Sequence, residues 1–79
     1  MEHLKELLKT MVTVLVDNPD KIVMRMLEGE QATVFELEVD QSDRGKVIGK
    51  YGRNADSMRS ILHAAGMKLK RRVTLEVLD

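Results

Sequence analysis

An α+β fold, with three helices on one face of a three-stranded sheet, is predicted by three observations. Apolar residues in the opening segment recur at helical spacing, whereas three other segments alternate with period two. The predicted elements run helix, strand, strand, helix, turn, helix, strand. Finally, 79 residues with 43% hydrophobic and 33% charged content supply one small core and leave no room for a second. The chain is therefore read as one domain, residues 1–79.

Leu4, Leu7, Leu8, Met11 and Leu15, with Lys5, Glu6 and Lys9 opposite them, predict an amphipathic helix over residues 2–16. Asp17-Asn18-Pro19-Asp20 ends it, because proline disfavours helical geometry in the residue before it. Ile22, Met24 and Met26 alternate with Val23, Arg25 and Leu27 as a first strand. Gly29-Glu30-Gln31 is a turn. Residues 33–39 form a second strand with Phe35, Leu37 and Val39 inward. The pair reads as a hairpin, without an Asn-Gly or Asp-Gly pair to fix its turn type.

Ser42 or Asp43 caps a short helix that reaches Ile48. A longer helix runs from Arg53 to Ala65, with Ala55, Met58, Leu62 and Ala65 along one stripe, and Gly66 is expected to end it in a left-handed conformation. Lys68 to Arg72 makes a basic connection. Val73, Leu75 and Val77 then alternate with Thr74, Glu76 and Leu78 as the last strand. Phe35, Leu37, Val39, Val73, Leu75 and Val77 are expected to line the buried side of the sheet.

Composition excludes several classes of function. Without cysteine there is no disulfide framework, thiolate ligand or thiol nucleophile. Glu2, Lys5, Glu6 and Lys9 interrupt the apolar residues of the first segment, which is the pattern of neither a secretory signal nor a membrane span. A cytoplasmic protein is the simplest expectation. His3 and His63 are sixty residues apart with no nearby Cys or paired carboxylate to orient them, and Ser42, Ser57 and Ser60 lack a general base in sequence reach. Glu36, Glu38 and Asp40 share a strand face, which reads as the wet side of the sheet, with cross-strand charge pairing near Arg25, sooner than as a cation site. No catalytic residue, metal, cofactor or small-molecule substrate is expected.

The formal net charge of zero hides a segregation. Residues 27–43 hold six acids and no base; residues 44–72 hold nine bases against Asp56 alone, nine minus one giving +8. A basic lobe on a neutral protein points to a local polyanion site. Inside that lobe lies Val47-Ile48-Gly49-Lys50-Tyr51-Gly52. Two glycines three apart let backbone approach a phosphate, since neither carries a Cβ. A helix starting after Gly52 adds the positive end of its dipole. Val47 and Ile48 offer an apolar floor for bases, Lys50 a charge and Tyr51 a planar contact, while Arg44, Lys46 and Arg53 flank the turn. A phosphate-binding P-loop fails on spacing, because Gly45 to Gly49 is one residue short and Tyr51 stands in place of Ser or Thr. One tyrosine and one phenylalanine argue against RNA-recognition motifs and OB folds, which need aromatic platforms.

The element order, with GKVIGKYGRNA from Gly45 to Ala55, resembles a type II KH domain, and more closely the small bacterial single-KH proteins of the KhpA type. The likeness covers nearly the whole chain, from Leu15-Val16-Asp17-Asn18-Pro19 through Gly29-Glu30 to Arg72-Val73. It implies a three-stranded mixed sheet and a single-stranded RNA-binding protein, a post-transcriptional regulator or RNA chaperone. The Gly49-Lys50-Tyr51-Gly52 loop would grip about four nucleotides, as KH loops do, with Val47 and Ile48 in the base groove. Family likeness also implies a homodimer, or a heterodimer with a second, larger KH-containing protein, through the helix after the loop. That helix carries Met58, Ile61, Leu62, Ala64 and Ala65, more apolar surface than one stripe needs. A protein whose main duty is to dimerise and regulate its partner is the alternative reading.

Overall fold

The computed structural model describes residues 2–79. Helix α1 (Glu2–Leu15) leads through a single 3₁₀ turn to the hairpin strands β1 (Val23–Glu28) and β2 (Ala32–Glu38). The short helix α2 (Arg44–Ile48), the glycine loop and the long helix α3 (Arg53–Lys68) follow, and β3 (Arg72–Val77) closes the chain. Strand order is β1-β2-β3, with β1 antiparallel and β3 parallel to the central β2. The mixed α+β architecture inferred from element order is the one observed. A parallel pair requires a crossover, and α2, the loop and α3 supply it.

Period two in β2 sets the layers apart. Phe35 and Leu37 are wholly buried together with Thr33, while Val34 and Glu36 point to the open face. On that face Arg25 Nε lies 3.5 Å from Glu36 Oε1, its directly opposed residue, as the cross-strand charge pattern predicted. From α1, the buried stripe is Leu4, Leu8 and Val12, each four residues from the next, and Val16 continues it. Leu7, expected on that stripe, is exposed, because the i, i+4 row dominates the contact with the sheet. Met58 and Leu62 of α3 and Val47 of α2 complete the core against Val73 and Leu75.

One expected terminus is corrected. Gly66 does not end α3; the helix continues to Lys68, and Lys70 adopts the left-handed conformation at φ 57°. Arg71 N–H donates to the Gly66 carbonyl at 2.9 Å and Lys70 N–H to the Met67 carbonyl at 3.1 Å, the paired bonds of a Schellman cap. Gly66 serves packing instead. A Cβ there would stand 2.7 Å from the Arg71 carbonyl oxygen and 2.8 Å from Val73 Cγ2, so β3 leaves this helix no room for a side chain.

Two polar clusters join distant segments. Asp43, wholly buried, accepts from the Asp17 and Asn18 backbone N–H groups at 3.1 and 2.9 Å, from Asn18 Nδ2 at 3.1 Å and from Lys46 Nζ at 3.5 Å. These bonds pin the exit of α1 to the start of α2. At the opposite end, Arg71 donates to Thr33 Oγ1 and to the carbonyls of Gly29, Glu30 and Ala32, tying the hairpin to the entry of β3. Among the described residues, no buried side-chain polar atom lacks a partner.

Candidate nucleic-acid interface

The loop between α2 and α3 is shaped by backbone geometry that only a few residue types adopt. Gly49 sits at φ 79°, ψ 170°, a region open essentially to glycine alone. Gly52, at φ 74°, ψ 12°, is left-handed and stands at the head of α3. Between them Tyr51 is also left-handed, at φ 58°, ψ 26°, a strained state for an aromatic residue. The chain reverses within four residues, with Gly52 N–H donating to the Gly49 carbonyl at 3.0 Å. Gly52 has no side chain to cap the first turn of α3, so the positive end of that helix opens onto the loop.

Asn54 locks this shape. Its Nδ2 donates to the Lys46 carbonyl at 2.8 Å, satisfying a C-terminal carbonyl of α2. The side chain thereby lies over Gly49, where an added Cβ would meet Asn54 Cγ at 2.7 Å and its backbone nitrogen at 2.8 Å. Gly49 is thus required twice, by φ and by space. No sequence pattern points to Asn54's part, since its partner lies across a turn whose course no local pattern fixes.

The expected site residues divide into three groups. Lys50, Tyr51 and Arg53 are exposed at the loop, Tyr51 at 81%. Lys50 Nζ and Arg53 Cζ flank the Tyr51 ring at 5.5 and 5.9 Å from its centroid, within cation–π range. Neither cation enters an ion pair among the described residues, which leaves both charges available to an anion. Arg44 and Lys46, by contrast, are committed. Arg44 pairs with Asp79 at 2.6 Å and donates to the Leu78 carbonyl at 3.2 Å. Lys46 joins Asp17 and Asp43; the Asp17 carboxylate pushes its pKa up, against the lowering effect of partial burial.

The third group is apolar, and two expectations change. Val47 is wholly buried, so it supports the loop from below, and the half-buried Ile48 alone reaches the surface of the pair. Of the five apolar residues expected to offer a surface to a second chain, Met58 and Leu62 belong to the core and Ala65 packs against it. Ala64 and Ile61 are exposed, Ile61 at 46%. Its environment is informative all the same: an apolar depression of about 330 Å³ runs between α1 and α3, lined by Met11, Val14, Leu15, Met58 and Ile61.

Arg59 was not singled out by any sequence pattern. From α3 it donates through Nε to the Leu75 carbonyl at 3.0 Å, on the edge of β3 that β2 leaves unpaired, and through Nη1 to Asp56 at 2.9 Å. It therefore bridges helix and sheet beside the loop. Among the described residues no cluster of His, Asp and Glu could hold a metal ion, and no helix is long and apolar enough to cross a membrane.

Comparison with known proteins adds a family to this geometry. Residues 5–77 match the family model described as the KhpA/KhpB KH domain. A protein of Aquifex aeolicus named RNA-binding protein KhpA is 47% identical over 79 residues, covering all of both chains. The protein of the same name from Borreliella burgdorferi is 47% identical over 74 residues, 94% of this chain and 90% of that one. Its Bacillus subtilis namesake is 42% identical over 78 residues, 99% and 96% of the two chains. With the matched region spanning nearly every element, the glycine loop included, this chain belongs to the KhpA/KhpB family of KH domains.

Proposed function

We propose that this protein binds single-stranded RNA through the Gly49–Gly52 loop, holding about four nucleotides, the span of a KH loop. The observation that carries this reading is a bare, left-handed main chain at the head of a 16-residue helix, flanked by Lys50 and Arg53, neither of them in an ion pair among the described residues. A ribose-phosphate strand would rest against that main chain, with Ile48 beneath the bases and Tyr51 beside them. The similar proteins named RNA-binding protein KhpA support it. No residue here is assigned a catalytic role. A cytoplasmic, post-transcriptional duty, as regulator or RNA chaperone, fits a small contact area and loose sequence preference.

The test is crosslinking of the Lys50→Asp, Tyr51→Asp double variant to RNA. Circular dichroism checks that it is folded, and both substitutions suit an exposed loop. Crosslinking should fall sharply; undiminished crosslinking overturns the reading. Two to four phosphate contacts should give wild type a salt slope of about −1.4 to −2.8.

A second reading, that the chain also dimerises, rests on the apolar depression between α1 and α3. Val14, at 79% exposure, and Ile61 flank it, and burying them would remove apolar surface from water. The occupant would be a second copy or a larger KH-containing protein, and pairing would raise avidity for RNA. Ile61→Asp should leave the fold intact and abolish a dimer seen by sedimentation. A wild-type chain that stays monomeric at high micromolar concentration and captures no KH-containing partner removes this reading.

A further inference from the structure

The two edges of the sheet are finished differently. Strand order leaves β1 and β3 each with one side unpaired. On β3, Arg59 occupies the outward Leu75 carbonyl at 3.0 Å. On β1 the outward groups follow from the alternation of an antiparallel ladder. Gly29 N–H donates to the Ala32 carbonyl at 2.7 Å and closes the hairpin with a bonded pair. Every second residue back from Gly29 therefore bonds to β2: Leu27, Arg25 and Val23, opposite Val34, Glu36 and Glu38. The Leu37 carbonyl agrees, since it accepts from Leu78 N–H at 2.8 Å and so turns away from its opposed residue, Met24. Met24, Met26 and Glu28 consequently direct their N–H and C=O groups away from the sheet. Among the described residues, no turn or side chain bonds to them; Arg71 reaches the hairpin only at Gly29, Glu30, Ala32 and Thr33.

Nothing within β1 guards this edge. Edge strands are ordinarily protected by proline, lysine, a bulge or a covering loop. Residues 23–28 read Val-Met-Arg-Met-Leu-Glu, pair with β2 without a bulge and contain neither proline nor lysine. The one basic residue, Arg25, is turned toward Glu36 and Glu38 across the open face. Beside it on that face, Val23 and Leu27 are exposed.

An antiparallel second β1 fits such an edge, and two-fold symmetry limits the register. An axis through Arg25 would oppose that residue to its own copy in a close, non-hydrogen-bonded pair, which like charges disfavour. An axis through Met26 avoids this. It pairs Met24 with Glu28 of the copy and Met26 with its own counterpart, so the outward groups share about six main-chain bonds. It also sets Arg25 opposite the copy's Leu27, where the arginine stem covers the exposed leucine.

We propose that two copies of this chain join through their β1 edges, antiparallel about an axis at Met26, into one continuous sheet. This pairing requires neither the glycine loop nor the depression between α1 and α3.

The experiment follows amide hydrogen exchange by nuclear magnetic resonance in the full chain, from micromolar to millimolar concentration. Wild type and Ile61→Asp are compared, the latter lacking the contact proposed between α1 and α3. With nine-tenths of the chain paired, exchange at Met24, Met26 and Glu28 should proceed through the free monomer and slow about tenfold. The Arg25 and Leu27 amides, bonded to β2, are protected already in the separate chain. Leu27→Glu and Leu27→Lys then test the register at an exposed position, with circular dichroism to check folding. Glutamate would attract the copy's Arg25 and lysine would repel it, twice over by symmetry. Leu27→Glu should therefore dimerise about tenfold more tightly than Leu27→Lys, as read by sedimentation.

Exchange at Met24, Met26 and Glu28 that ignores concentration overturns the proposal, as does a dimer that leaves those amides unprotected. Protection that disappears in Ile61→Asp belongs to the α1–α3 contact and overturns it too. Equal dimer affinity of the two Leu27 variants refutes the axis at Met26. Exchange slowed only by an added second KH-containing protein gives the edge to that partner and refutes self-pairing.

Discussion

The Asn54 side-chain amide donates to the Lys46 carbonyl at 2.8 Å, and in doing so it roofs Gly49. One bond thus fixes the end of α2, the start of α3 and the loop between them. Asn54→Ala should cost about 1 kcal/mol by leaving that carbonyl without its partner, measured by urea denaturation, with broadened loop amide resonances.

The two loop glycines should respond unequally. A Cβ at Gly52 meets only Asp56 Oδ2, at 3.9 Å, so alanine there pays for its φ alone, about 1–2 kcal/mol. At Gly49 a Cβ would also strike Asn54, so Gly49→Ala should exceed that figure. Combining Gly49→Ala with Asn54→Ala should recover only part of the loss, because the Asn54 backbone nitrogen stays 2.8 Å away. A double-mutant cycle checks both statements.

Tyr51 holds a left-handed conformation with its ring almost wholly in water, so little packing offsets the strain. Tyr51→Asn should therefore raise stability by about 0.5–1 kcal/mol, since asparagine visits this region readily. Thermal denaturation at matched pH reads it; a variant less stable than wild type contradicts the account.

Glycine-to-alanine changes within helices usually help, by up to about 1 kcal/mol. Gly66→Ala should do the reverse. Its Cβ would press on the Arg71 carbonyl and Val73 from a wall of β3, and overpacking of this kind costs about 1–3 kcal/mol. Lys70→Gly, at the left-handed cap, should be stabilising by up to about 1 kcal/mol. Chemical denaturation of the two variants should give shifts of opposite sign.

Asp43 makes stability depend on pH in acid. Burial acts to raise its pKa, but the hydrogen bonds from Asp17, Asn18 and Lys46 outweigh burial, and the carboxyl is held below the ordinary value of 3.8. A depressed folded-state pKa contributes stability that is complete above the unfolded value and is lost as pH falls through the folded one. The melting temperature should therefore drop below pH ~4. Asp43→Asn should lower it at neutral pH and flatten that acid-side dependence. Lys46 acts at the other extreme: with its pKa raised, its contribution persists through neutral pH and is lost only above the ordinary lysine value of 10.5.

Much of the fold was legible because its signals are local. Period two in residues 33–39 and 73–78, helical spacing in residues 2–16 and Pro19 after Asn18 each act within one element, and element order then constrained the topology. The loop was legible for the same reason: glycines three apart are adjacent in sequence as they are in space. Gly66 misled because a glycine near a helix end usually caps it, whereas its neighbour here is Val73, which no helical pattern contains. Met58, Ile61, Leu62, Ala64 and Ala65 together make more apolar surface than one stripe needs; the core absorbs Met58 and Leu62 and leaves Ile61 and Ala64 exposed.

By itself the sequence determined the element types, the strand faces and the position of the glycine loop, since backbone propensity and side-chain alternation are set by near neighbours. Tertiary structure alone decided which cations are free. Lys46 is neutralised by Asp17, 29 residues away, and Arg71 is taken up by carbonyls at the hairpin, 39 to 42 residues away, while Lys50 and Arg53 are left open. Charge counts along a chain cannot make that distinction, because an ion pair falls off with distance in space and is indifferent to distance in sequence.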